Sequence, residues 1–418
     1  MSFVESFFGR RDDVRTLVVA PYAREGELRD RFDEFVSLCQ AAELDTVGVD
    51  AAPVREIHPG TYFRSGQIER FREAAEIGAA DLVAVDADLS PVQQRQLERE
   101  LGRGVLDRSA IILTIFGRRA RTRTGKLQVA LAQNEYVLPR LVGLWGHFDR
   151  EKGGIGLRGA GEKQIEIDRR LIKRRIARLR QELSQVGRTQ QLHRARRKRS
   201  PLMHAAIIGY TNVGKSTLLR EFSNRSVFVR DMPFATLDTL TRRITLNDGT
   251  AFLVTDTVGF VRDLPHGLVE AFRSTLLEAA EADVLIHVID ASAPDPGRQV
   301  EVTRGVLSEL GVTDRPTLYV LNKQDLARGS APAIAPDLSP VVGASIVRGE
   351  GIDAIVDWLR HQARAHRRTV TVRIPLSRPE LVALGEAEAA SPGRWGHDWV
   401  EYDVPADSTL AAQTELRT

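Results

Sequence analysis

The chain has 418 residues, more than one hydrophobic core usually serves, so two or three domains are expected. Apolar residues make up 42% and charged residues 28%, ordinary for a soluble globular protein, while a net charge of +3 hides an uneven distribution along the chain. The single cysteine, Cys39, excludes an internal disulfide framework and a cysteine-based zinc site and fits a reducing compartment.

The N-terminal "MSFVESFFGRRDD" carries acid early and no long apolar stretch, so neither a signal peptide nor a membrane anchor is expected, and a cytoplasmic location is. From Arg15 to about Phe116, strand-like runs alternate with polar helical ones. The strand candidates are "TLVVAP", "TVGVD", "DLVAVD", "GVLD" and "IILTIF"; the helical ones are "REGELRDRFDEFVSLCQAA", "SGQIERFREAAEIG" and "SPVQQRQLERELG". This alternation predicts a small parallel-sheet α/β domain over residues 1–116. Ser90 as cap and Pro91 at the first helical position open the last of these helices.

Residues 117–200 change period. Leu127, Leu131, Asn134, Leu138 and Leu141 recur at steps of three and four, as do Ile172, Ile176, Leu179, Leu183 and Val186. Two such seams predict a long antiparallel helical hairpin, kinked at Pro139, with the Gly-rich loop 145–162 at its tip. Between Ile165 and Arg199 there are thirteen Lys or Arg against three acidic residues, ending in "HRARRKR". Such a run is either a solvated face or a track for a phosphate backbone, and its concentration on one element makes RNA a serious partner. Arg194, Arg196, Arg197, Lys198 and Arg199 close that arm, and the tip would carry Arg150, Lys152, Arg158 and Lys163 into folded RNA. The tip glycines Gly154, Gly156, Gly159 and Gly161 have a dinucleotide-like spacing, but they follow a helical arm and open no βαβ unit, so a nucleotide site there is weakly supported.

Residues 201–365 read as a second α/β domain with strands "HAAIIG", "FLVTD", "VLIHVID" and "TLYVLN" and motifs at their ends. "GYTNVGKST" follows a strand and opens a helix, the context that makes a Walker A pattern a phosphate site. Gly209, Asn212, Val213, Gly214, Lys215, Ser216 and Thr217 form that loop; Lys215 reaches the terminal phosphates and Ser216 ligates Mg2+. Asp256 ends a strand and suits the magnesium shell, and the Gly259 amide can sense a γ-phosphate. In "LNKQD", Asp325 can accept both guanine N1–H and N2–H, Asn322 braces the loop and the Lys323 stem lies over the ring, which selects GTP over ATP. A fourth base loop falls at Ser345 and Ile346. In "FATLDTLTRR", Thr236 is the expected residue to close over Mg2+ and the γ-phosphate. Asn212 either satisfies its own loop's backbone or, as the resemblance of this loop to that of some related GTPases implies, helps hold K+. Phe260 stands where a water-orienting residue is expected, so either a partner completes the site or another group places the water. Residues 366–418 read as a small α+β appendage of two or three short strands and one helix.

Together "DLSPVQQRQLE", "GGIGLRGAGEKQIEIDRRLIKRRIARL", "GYTNVGKSTL", "FATLDTLTRR" and "DTVGFVRDLPHGLVEAFRSTLLEA" resemble the HflX family of translational GTPases from about residue 15 to the end. The resemblance implies GTP hydrolysis, docking on the large ribosomal subunit with the hairpin tip near the peptidyl transferase centre, and splitting or rescue of stalled ribosomes. The resemblance also implies a hydrophobic residue at the place of Phe260 and, in some members, stress survival or antibiotic resistance. Three places depart from the family pattern: Arg64-Ser65-Gly66-Gln67 replaces Gly-Lys-Gly-Lys, Ser345-Ile346 replaces Ser-Ala, and Ala160-Gly161-Glu162 replaces Pro-Gly-Glu. The alternatives are a nucleotide-gated RNA-binding scaffold for subunit assembly and an ATP-driven RNA-remodelling enzyme. A monomer is expected.

Overall fold

The computed structural model describes residues 14–23, 28–141, 158–198, 202–223, 240–257, 259–262, 281–312, 314–327, 338–366, 369–389, 392–405 and 409–415. The first unit runs β1 (Arg15–Tyr22), α1 (Leu28–Ala41), β2 (Asp45–Pro53), α2 (Ser65–Ile77), β3 (Leu82–Val85), α3 (Pro91–Leu101), β4 (Gly104–Asp107) and α4 (Arg108–Arg119). Its four strands are all parallel in the order β2-β1-β3-β4. Period-2 alternation sends Leu17, Val19, Val83 and Val85 to one face against Phe63, Phe71 and Leu97, and Val18 and Ala84 to the other against Phe35 and Leu38. Ser90 caps α3 as expected, its hydroxyl accepting from the Gln93 amide while the Gln93 side chain returns to the Ser90 N–H.

One expectation is overturned: "IILTIF" is no strand. It is the centre of α4, whose residues from Arg108 to Phe116 are all buried. A helix apolar on every side gives no 3.6-residue stripe, and its β-branched content mimics a buried strand. The Asp107 carboxylate, which accepts from the Ala110 amide at 2.8 Å, is the local signal that turns the chain into a helix there.

The helical segment comprises α5 (Arg123–Val137), a 3-10 turn at Leu138–Arg140, and α6 (Arg158–Lys198). Pro139 sits inside that turn, where the α5 hydrogen-bond ladder stops. Helix α5 packs against α4 through Val129 and Ala132 and against α6 on its other side. Helix α6 opens at Arg158, so Gly159 and Gly161 belong to its first turn and the tip loop is shorter than 145–162; first-turn N–H groups lack intrahelical partners, which lessens the cost of glycine there.

The second unit contains β5 (His204–Gly209), α7 (Lys215–Ser223), β6 (Leu240–Thr245), β7 (Ala251–Asp256), β8 (Val284–Asp290), α8 (Pro296–Glu309), β9 (Thr317–Asn322), β10 (Val341–Gly343) and α9 (Ile352–His366). The sheet order is β10-β9-β8-β5-β7-β6, parallel except for the antiparallel β6 edge. The order reverses beside β5, and in open α/β sheets ligands bind outside the strand C-termini at such a point. One apolar cluster joins Phe35, Leu38 and Ile112 of the first unit to Ile207, Leu218, Val288 and Leu359 of the second. The last elements are β11 (Thr369–Pro375), α10 (Pro379–Glu388), β12 (Arg394–Trp395), β13 (Trp399–Pro405) and α11 (Thr409–Glu415), an antiparallel β11-β13-β12 sheet with two helices where one was expected. Among the described residues no helix is long and apolar enough to cross a membrane.

Candidate functional site

Strand β5 ends at Gly209, whose φ of 141° lies where only glycine is unstrained and where an added Cβ would meet the Val288 carbonyl oxygen at 2.2 Å. Gly214, with φ 99°, completes the wrap before Lys215 opens α7. Val213 and Thr217 are buried and anchor the loop from beneath, and Asn212 is exposed with φ 61°, a left-handed conformation that asparagine tolerates better than most residues. The loop thus presents amides at a helix N-terminus, an arrangement suited to phosphate.

Lys215 is buried, and its Nζ donates to the carbonyls of Gly209 at 3.1 Å and Tyr210 at 2.5 Å. Burial lowers its pKa to about 8, partly offset by the Asp256 carboxylate. The Ser216 hydroxyl donates to Asp256 Oδ2 at 2.6 Å, bringing together a hydroxyl and a carboxylate, the hard oxygen donors that magnesium takes. Among the described residues no group of three His, Cys, Asp or Glu could hold a metal.

The chain after Asp256 lies on the phosphate loop. The Thr211 amide donates to the Phe260 carbonyl at 2.7 Å and the Phe260 amide to the Gly209 carbonyl at 3.1 Å. A Cβ on Gly259 would fall 2.9 Å from both Lys215 Nζ and Thr211 Cα, so no side chain fits there. The Phe260 ring points away from this site into a core cluster with Ala206, Ile208, Leu285 and Leu307. Its work is to anchor the backbone that carries Gly259.

The third strand end is braced to the first. Asn322 Nδ2 donates to the Val213 carbonyl at 2.7 Å while its Oδ1 accepts the Ile346 amide at 3.0 Å. Lys323, at φ 62°, pairs with Asp290 at 2.8 Å. Asp325 accepts the Ser345 hydroxyl at 2.7 Å, and that bond holds its carboxyl below the usual range. Ser345 and Ile346 are both buried in this junction. Gly209, Val213, Gly214, Lys215, Ser216, Asp256, Gly259, Asn322, Asp325, Ser345 and Ile346 therefore converge on one end of the sheet, with the exposed Asn212 on the same loop. Thr236, Arg150, Lys152 and Arg199 lie outside the described residues, whereas Arg158, Lys163, Arg194, Arg196, Arg197 and Lys198 fall on α6.

Three family models match successive stretches: a GTP-binding GTPase N-terminal region at 29–117, a GTP-binding GTPase middle region at 119–197, and a 50S ribosome-binding GTPase at 204–323. The chain is 43% identical over 361 residues to the GTPase HflX of Magnetococcus marinus, covering 86% of this chain and 83% of that protein. Against the GTPase HflX of Akkermansia muciniphila it is 43% identical over 395 residues, 90% of each chain, and against that of Escherichia coli 38% over 362 residues, 86% of this chain and 85% of the relative. The chain belongs to the HflX family of GTPases. A GTP-binding protein from Sulfolobus solfataricus, solved with GDP, shares 23% identity at a TM-score of 0.45 over 83% of this chain and 99% of its own. The HflX membership and the phosphate-loop domain make the chain a GTP-hydrolysing enzyme.

In this HflX chain the two α/β units meet at a polar cluster that the motifs did not announce. The Tyr210 hydroxyl, in the phosphate loop, donates to Glu34 of α1 at 2.6 Å and accepts the Arg262 amide at 2.6 Å. Arg108, fully buried at the start of α4, donates to Asp86, to Glu34 and to the Arg262 carbonyl. Burial pushes the pKa of this guanidinium down, and the Asp86 and Glu34 carboxylates outweigh it and push it up. These partners lie 22 to 176 residues apart in sequence, beyond the reach of any local pattern.

Proposed function

We propose that this GTPase binds the large ribosomal subunit in its GTP form, lays its helical hairpin against ribosomal RNA near the peptidyl transferase centre, and splits or rescues stalled ribosomes, with hydrolysis stimulated by the ribosome. The observation that carries the reading is α6: 41 residues, about 60 Å long at 1.5 Å per residue, bearing the basic run and ending six residues before β5, the strand that leads into the phosphate loop. A shift of the nucleotide-binding unit thereby reorients a long cationic rod. The family model named for 50S ribosome binding adds support over 204–323.

In this reading Lys215 and the Gly259 amide hold the γ-phosphate, and Ser216, Asp256 and Thr236 take Mg2+, which supplies charge neutralisation of the phosphate oxygens when bound. Asn322, Lys323, Asp325, Ser345 and Ile346 form the guanine end. Cys39, buried as a free thiol, accords with a reducing cytoplasm. GTP turnover measured alone and with purified large subunits tests the proposal: a rise of about tenfold or more is expected, with intact ribosomes separating into subunits on sedimentation. Unchanged turnover would remove the ribosomal role, and stimulated turnover without subunit separation would favour the RNA-binding assembly scaffold.

A further inference from the structure

Arg262 lies three residues beyond Gly259, and its backbone is gripped at both ends: its amide donates to the Tyr210 hydroxyl at 2.6 Å, and its carbonyl accepts Arg108 Nε at 3.1 Å and Nη2 at 2.9 Å. The side chain is treated differently. It is buried, Nε and Nη1 make no hydrogen bond, and the nearest carboxylate oxygen, Glu34 Oε2, stands 3.9 Å from Nε. A buried guanidinium with unmet donors is costly, and such groups call for an explanation in function or ligand binding.

Among the described residues, Arg31, Arg108 and Arg262 face Glu34 and Asp86. Arg262 lines a cleft of about 350 Å³ whose wall includes Tyr210, Thr211 and Asn212 of the phosphate loop. The other acids on that cleft are occupied or solvated: Asp290 pairs with Lys323, Asp295 caps α8 through the Arg298 amide, and Asp33 is exposed. Thr211 lines this cleft, and its Cα lies 2.9 Å from where a Cβ on Gly259 would stand, as does Lys215 Nζ, so the cleft borders the place expected for a terminal phosphate.

We propose that Arg262 is a catalytic residue of GTP hydrolysis, donating from within the chain to the γ-phosphate oxygens as negative charge shifts during phosphoryl transfer, a role other GTPases fill with an arginine supplied in cis or by a partner. Water oxygen forms the new bond to the γ-phosphorus, the bond to the β–γ bridging oxygen breaks with its electron pair leaving on GDP, and the water protons pass to phosphate and solvent. Arg262 takes no part in the proton transfer and contributes charge and hydrogen bonds only. The proposal rests on GTP hydrolysis by this site and not on the ribosomal partner. It also explains why a buried phenylalanine at 260 is compatible with turnover: Phe260 fixes the backbone, and the functional head group comes two residues later.

The test is single-turnover GTP hydrolysis by wild type, Arg262→Ala and Arg262→Lys, with and without large subunits, alongside GDP affinity and thermal unfolding. Wild type that hydrolyses nothing under either condition overturns the hydrolysis reading itself, before any variant is compared. The expected result is a loss of about a hundredfold or more in Arg262→Ala, GDP affinity within about threefold, an intermediate rate in Arg262→Lys, and partial recovery of Arg262→Ala on adding guanidinium ion at non-denaturing concentration. A rate in Arg262→Ala within about fivefold of wild type overturns the proposal. So does a loss that guanidinium fails to rescue, or one accompanied by weakened GDP binding or a lowered melting temperature in both variants, which would make Arg262 structural. A wild-type rate about tenfold faster in potassium than in sodium would assign the charge to a cation beside Asn212 instead.

Discussion

At the scale of single residues, Lys215 has the most exposed consequence. In the nucleotide-free fold it is buried against carbonyls with its pKa lowered to about 8, whereas phosphate binding requires the ammonium form. Between about pH 8 and its ordinary 10.5 the folded chain binds fewer protons than the unfolded one. The unliganded fold is therefore penalised below pH 8, and that penalty fades as pH rises through the window. Nucleotide binding has the opposite sign: GDP affinity, followed with a fluorescent nucleotide from pH 7 to 9.5, is expected to fall above pH 8 by up to about tenfold per unit. Lys215→Arg, whose guanidinium stays charged, is expected to give a flat profile. A matching decline in that variant would place the titration elsewhere.

At the scale of elements, α4 and α6 are opposites. Helix α4 is buried on all sides, while α6 keeps exposed apolar residues such as Ile167, 50% accessible, among its cations. Ile112→Ala is expected to cost about 2–5 kcal/mol and Ile167→Ala less than about 0.5 kcal/mol in urea unfolding followed by circular dichroism. Equal costs would mean that α6 is packed along that face. The contrast also marks what a sequence conveys. Helices α3 and α6 were legible because Ser90 and Pro91 signal a start and because a leucine seam survives among charges. "IILTIF" was misread because a wholly buried helix has no polar face to reveal its period, leaving Asp107 as the one clue. The strand-to-helix turn at residues 209–215 was legible because so short a loop must meet strict backbone demands, visible at Gly209 and Gly214.

For the whole molecule, the junction of the two α/β units turns on Arg108. Its guanidinium meets Asp86, which is fully buried, and crosses to the Arg262 carbonyl. Arg108→Met would leave Asp86 with Arg31 and take Arg108 from Glu34 and the Arg262 carbonyl, and removing one partner of a buried pair costs about 3–5 kcal/mol. Thermal unfolding should show that loss, and hydrogen exchange at residues 259–262 should rise with it; an unchanged melting temperature would mean the contact is dispensable. None of this was readable beforehand, since the contact joins positions 154 residues apart and Arg108 sits in an otherwise apolar segment. The same holds for Arg262, which no motif singles out and which the fold brings to the same cleft as Thr211.

The Asn322 side chain, bonded at once to Val213 of the loop proposed for phosphate and to Ile346 of the segment proposed for guanine, has a kinetic corollary. Neither grip can relax without straining the other through a single amide group. Departure of GDP should therefore be one concerted event, and replacing Asn322 by Ala would turn a slow, single-exponential release into a fast one while leaving α7 and the strands that frame the pocket in place.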